Sequence, residues 1–126
     1  MLYSANAKVY IATRSEERAL KAIEDIKAAV PKSTGELIFL SLDLGDLTTI
    51  KASAEKFLAV EEKLHVLWNN AGVMIIDDGK TKTAQGYEQH IGVNNVGTFL
   101  FTKLLTPVLV KTAKEEPANT VCYFSY

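Results

Sequence analysis

Short apolar runs rich in β-branched and aromatic residues alternate along the chain with longer segments whose apolar positions recur every three or four residues. Lys8–Thr13 (KVYIAT) has the composition of a buried strand. Ser15 then offers an N-cap, and Glu16 and Glu17 follow where a helix dipole favours negative charge. Ala19, Ile23, Ile26 and Val30 make one helical stripe, which the PKSTG segment at 31–35 should end. Residues 36–42 (ELIFLSL) read as a second strand. Asp46 is placed to cap the next helix, whose inner face is expected to be Leu47, Ile50, Ala54, Phe57 and Leu58. Residues 65–68 (HVLW) are short and nearly all apolar, as in a strand covered on both faces. Asp77-Asp78-Gly79 marks a turn. Residues 83–111 read as helix in two pieces, broken near Gly92 to Gly97 and bent at Pro107, and 120–125 as a last strand.

Strands alternating with helices call for a parallel sheet flanked by helices, a doubly wound α/β fold in three layers. No internal repeat or linker divides it, so all 126 residues are expected to form one unit. A net charge of −1, spread without blocks, argues against nucleic acid or an anionic membrane as partner. Residues 1–7 hold no apolar signal core, and the apolar runs at 64–76 and 89–102 are broken by Asn and Gly. Neither reaches the about 20 apolar residues that a span requires. The one cysteine, Cys122, excludes an internal disulfide and favours a reducing, cytoplasmic compartment; within VCYF it is expected to be a small buried residue.

Open parallel sheets bind ligands just beyond the carboxyl ends of their strands. That rule selects Thr13-Arg14, Asp43-Leu44, Asn69-Asn70-Ala71-Gly72 and Ser125-Tyr126. Two consecutive amides after an apolar strand bring several donors and acceptors that need partners. Ala71 and Gly72 then remove bulk, so the segment is either an Asx-rich turn or a place where a ligand nears the backbone.

The run Leu64-His65-Val66-Leu67-Trp68-Asn69-Asn70-Ala71-Gly72-Val73-Met74 resembles the strand-plus-NNAG motif of the short-chain dehydrogenase/reductase family. Asn94-Asn95-Val96-Gly97 resembles the family's N-x-x-G segment, and residues 8–15 and 42–44 extend the likeness over nearly the whole chain. The resemblance implies a Rossmann-like domain and an oxidoreductase acting on a small-molecule carbonyl or alcohol. It implies that Asn70, Ala71 and Gly72 line the cofactor ribose, that Asp43 and Leu44 flank adenine, and that Lys103 lies near the cofactor. Asn94 would be the active-site asparagine that supports a water in the proton relay, and Ser125 lies next to the position of the catalytic serine. Arg14 follows the strand where an acid would accept from the ribose of NAD, so the cofactor expected is NADP rather than NAD.

Two family features have no counterpart in this sequence. No two of its seven glycines lie closer than five residues apart, so there is no phosphate-binding loop of the G-x-G-x-x-G kind. No tyrosine is followed four residues on by lysine, the pair that would supply acid–base chemistry. His65 also stands where an aspartate is common. Residues 1–7 read as the tail of the helix that follows the absent loop. The family's sheet order 3-2-1-4-5-6-7 would then lack its first, central strand. These observations lead to two expectations: a fragment of an NADP-dependent enzyme, inactive by itself, or a non-catalytic nucleotide-binding or homo-oligomerising module. Unpaired apolar edges on the strands at 8–13 and 65–68 would favour aggregation, unless those strands pair directly.

Overall fold

A computed structural model describes residues 1–74, 76 and 79–124. The chain forms an α/β fold of parallel strands and helices with a partial sheet. Packing divides it into two compact units, Met1–Leu42 and Asp43–Tyr126.

In the first unit, β1 (Lys8–Thr13) pairs in parallel with β2 (Glu36–Ser41), and the register sets Lys8 beside Glu36, whose side chains meet at 3.8 Å. Between them runs α1 (Glu16–Ala29), capped by Ser15 with Glu16 and Glu17 in its first turn. Its stripe buries Ala19 and Ile23, while Ile26 is at the exposed margin. Tyr3–Ala5 form a single 3-10 turn, closed by Asn6 at φ 62°, where an α-helical tail was expected.

The second unit holds α2 (Leu47–Leu58), β3 (Val66–Asn69), α3 (Thr98–Glu115) and β4 (Val121–Phe124). Asp46 caps α2 by accepting from Thr48 N at 3.0 Å. The buried face of α2 is Ile50, Ser53, Ala54 and Phe57, and Leu58 lies outside. That set follows the i, i+3, i+4, i+7 spacing of one stripe, and Leu58, at i+8 and the last residue of the helix, is exposed at its margin. Ser53 enters the core because its hydroxyl donates to Thr49 O at 3.3 Å. Against this face α3 packs Phe101, Leu105, Val108 and Leu109.

The expected break at Gly92 to Gly97 is instead a π-helical turn, Ile91–Gly97, that runs without interruption into α3, with Pro107 inside the helix. Ile91–Glu115 is long and apolar enough by composition to cross a membrane, more than its sequence suggested. Of its large apolar residues Val93, Phe101, Leu105, Val108 and Leu109 are buried, while Ile91, Phe99 and Val110 are exposed.

β3 and β4 pair in parallel, Val66 opposite Val121 and Trp68 opposite Tyr123. Thr112, fully buried, anchors the start of β3: Leu64 N donates to its hydroxyl at 2.9 Å, and that hydroxyl donates to Val108 O. His65 meets Glu116 at 3.1 Å, and Glu116 also holds Lys63 at 2.7 Å. β3 is not covered on both faces, since Val66 and Trp68 are exposed and only Leu67 is buried. Cys122 is likewise exposed rather than buried. Among the described residues, the strands form two-stranded parallel sheets, β1 with β2 in the first unit and β3 with β4 in the second.

Candidate functional site

The segment after β3 turns at once, with Asn70 N donating to Trp68 O at 3.1 Å. Asn70, Ala71 and Gly72 then lie exposed. What holds them is Asn94, on the π-helical turn. Its Oδ1 accepts from Val73 N at 2.8 Å, and its Nδ2 donates to Val73 O at 3.0 Å. One side-chain amide thereby satisfies both polar groups of one peptide residue. A Cβ on Gly72 would stand 3.3 Å from Asn94 Oδ1, so the small residue admits this clamp.

Asn69 faces the helix instead: its Nδ2 donates to Thr102 Oγ1 at 3.2 Å and reaches Cys122 Sγ at 3.6 Å. The first two positions of the motif thus differ, one tied to the body of the unit and the next exposed with the loop.

Asp43 and Leu44 are half-buried. Asp43 Oδ1 accepts from Gly45 N at 2.8 Å, closing an Asx turn. Leu44 turns its carbonyl toward Gly97, where a Cβ would come within 2.3 Å of the oxygen. Gly97 therefore lets the π-helical turn meet the backbone of residues 43–45, a close approach that only glycine allows. The structure thus brings Asp43, Leu44, Asn70, Ala71, Gly72 and Asn94 into one unit. Asn94 is linked directly to the loop after β3, and Gly97 to Leu44.

Lys103 is exposed on α3, and Arg14 is exposed just past the end of β1 in the other unit. Ser125, Tyr126 and the turn residues Asp77 and Asp78 lie outside the described residues. Among the described residues no group of His, Cys, Asp and Glu has the arrangement of a metal site.

The start of the π-helical turn has its own cap. Glu88 accepts from the backbone N–H groups of His90 and Ile91, each at 3.0 Å, and these bonds hold its carboxyl below the usual range. Sequence reading missed Glu88, because its capping role depends on where the helix begins. It also missed Gln85, whose partners lie nearly forty residues away.

Residues 1–121 match the family described as short chain dehydrogenase. A short-chain dehydrogenase/reductase of Phomopsis amygdali is 56% identical over 121 residues, which are 96% of this chain and 36% of that protein. An alcohol dehydrogenase of the archaeon Thermococcus sibiricus, solved with 5-hydroxy-NADP, superposes with a TM-score of 0.72 at 19% identity, over 89% of this chain and 46% of that one. The NADH-dependent reductase A1-R′, solved with NAD, gives the same score and identity over 96% and 49%. These two likenesses speak for the fold; the sequence match carries the kinship. The chain belongs to the short-chain dehydrogenase/reductase family and spans about a third of the length of the relatives it matches.

Proposed function

We propose that this chain carries part of the nucleotide site of an NADP-dependent short-chain dehydrogenase/reductase, whose whole form moves hydride between NADP(H) and a carbonyl or alcohol. The observation that carries the reading is the Asn94–Val73 clamp, which fixes the exposed Asn70-Ala71-Gly72 backbone at the carboxyl end of β3. The residues present fit one portion of a dinucleotide. The loop after β3 offers exposed backbone flanked by the small residues Ala71 and Gly72 to a ribose, and the half-buried Leu44 offers an apolar edge to adenine. No closely spaced glycines are present to cradle the diphosphate. The cofactor, when bound, supplies or accepts the hydride. The chain's own part is to hold and orient it, with Asn94 keeping the ribose-facing loop in place.

Arg14 supports NADP over NAD. It is exposed beyond β1, with no acid before Glu16, and a guanidinium grips a phosphate by paired charged hydrogen bonds. In the protein bearing the complete dinucleotide site, Arg14→Ala should weaken NADP binding by about 1.5–3 kcal/mol and leave NAD nearly untouched. Equal losses for the two cofactors, measured by titration calorimetry, would remove Arg14 from the role.

A second reading, a non-catalytic nucleotide-binding or oligomerising module, draws on the lack of any Tyr-x-x-x-Lys in the sequence. Loss of a general acid–base group typically costs about 10²–10⁴-fold in rate. On either reading the 126-residue chain should not oxidise NADPH above blank with any of a panel of aldehydes and ketones.

A further inference from the structure

We infer that Gln85 is a positioning residue for the nucleotide-flanking segment 43–45, acting through a strap formed by residues 81–89. The inference rests on the reading of Asp43 and Leu44 given under the proposed function.

The strap is a closed loop in its own right. Lys82 and Glu88 form an antiparallel bridge, Thr83 N donates to Tyr87 O at 2.9 Å, and Gly86 N donates to Thr83 O at 2.9 Å. Its base is seated on the turn that carries Asn94: a Cβ on Gly92 would fall 2.2 Å from Thr83 Cγ2. Its tip reaches the segment between β2 and α2. Ala84 N donates to Gly45 O at 3.1 Å. Gln85 then makes two bonds with opposite polarity. Its Oε1 accepts from Leu47 N at 3.0 Å, and its Nε2 donates to Asp46 Oδ1 at 2.9 Å.

Leu47 opens α2, and its N–H is one of the donors that a helix leaves without an internal partner. Asp46, the cap itself, spends its carboxylate on Thr48. Gln85 therefore supplies from the strap the acceptor that Leu47 lacks, and it binds the capping carboxylate as well. Asp46 N in turn donates to Asp43 O at 3.3 Å, and Gly45 N to Asp43 Oδ1. The position of residues 43–45 is thus set by α2 on one side and by Gly97 on the other. Gln85 locks the α2 side to the same strap that is seated on the Asn94 turn. At neutral pH the amide of Gln85 offers both an acceptor to Leu47 and a donor to Asp46, which a carboxylate cannot.

The test compares the chain with Gln85→Ala and Gln85→Glu by amide hydrogen exchange and by NADPH titration. Gln85→Ala should lower protection at the amides of Gly45, Asp46 and Leu47 by several-fold, up to about tenfold, with the thermal midpoint nearly unchanged. Gln85→Glu keeps the acceptor but sets a second carboxylate against Asp46 at neutral pH. Protection should be lost at pH 7 and recovered at pH 4, where the introduced carboxyl regains a proton to donate. NADPH affinity should fall in step with protection. Unchanged protection in both variants would overturn the positioning role. Lost protection with full NADPH affinity would overturn its link to the nucleotide. An unsubstituted chain that binds no NADPH, yet shows the protection changes, would sink the proposed function and leave the strap standing.

Discussion

Asn94 grips Val73 through both halves of its side-chain amide, at 2.8 Å and 3.0 Å, across 21 residues of sequence. Asn94→Asp keeps the acceptor for Val73 N but sets a carboxylate oxygen against Val73 O. Asn94→Ala loses both bonds, at about 0.5–1.5 kcal/mol each in net terms. Asn94 is exposed, so water can replace part of the loss, and a combined cost of about 1–2 kcal/mol is expected for Ala. Aspartate should be no better than alanine at neutral pH and should recover as the carboxyl is protonated. Denaturation at low protein concentration, followed by circular dichroism, measures both. An aspartate variant as stable as the parent at pH 7 would contradict the clamp.

Gly97 poses a contest between two effects of known size. It has φ −63°, an ordinary helical value, so alanine there would gain about 1 kcal/mol in helix propensity. The added Cβ would also stand 2.3 Å from Leu44 O and about 3 Å from the neighbouring carbon atoms, all backbone that cannot rotate away. Overpacking of this kind costs about 1–3 kcal/mol. Gly97→Ala should therefore destabilise on balance, and Gly97→Val should do so more strongly. A stabilised alanine variant would show that the approach of residues 43–45 is looser than described.

Acid stability should carry the signature of Glu88. Its carboxyl is held low first by the backbone N–H of His90, then by that of Ile91, with the His90 ring at 2.6 Å adding to the effect. A folded-state value below the unfolded one means that its stabilisation is full above the usual glutamate range, about 4.3. It is lost as pH falls through the folded value. Asp46 and Glu116 are lowered too, by Thr48 and by Lys63 respectively, and act in the same direction. Glu88→Gln should flatten the loss of stability below about pH 4.5 without abolishing it. Identical acid limbs for the two chains, measured by thermal midpoints from pH 2 to 7, would exclude Glu88 as a contributor.

The open face of β3 and β4 should make the chain self-associate. Val66, Trp68, Val121 and Tyr123 share that face, between 39% and 56% exposed, with the Trp68 and Tyr123 rings 5.1 Å apart. Parallel sheets ordinarily have both faces covered, and contiguous exposed apolar surface promotes association. Scattering mass should rise with concentration, and Trp68→Thr should reduce the rise. A monodisperse monomer at all concentrations would defeat the prediction.

The sequence by itself determined what local rules decide. Ser15 and Asp46 cap their helices because a short polar side chain before an apolar stripe can accept from the first free N–H groups. The strands β1 and β2, and the NNAG and N-x-x-G segments, were legible for a similar reason: strand and motif both advertise themselves within a few residues. Only tertiary structure decided what depends on distant partners. The glycines at 92 and 97 read as a helix break, yet the π-helical turn persists, because Gly97 meets Leu44 and the core contacts of Val93 and Phe101 outweigh about 1 kcal/mol per glycine. Ser53 rather than Leu58 faces inward, and Cys122 and Trp68 are exposed, because burial depends on which elements come to cover them. The mutual grip of Asn94 and Val73, and that of Gln85 on Leu47, had no local trace. Each is a hydrogen bond between segments that composition and periodicity cannot bring together, and only the folded chain sets them within reach.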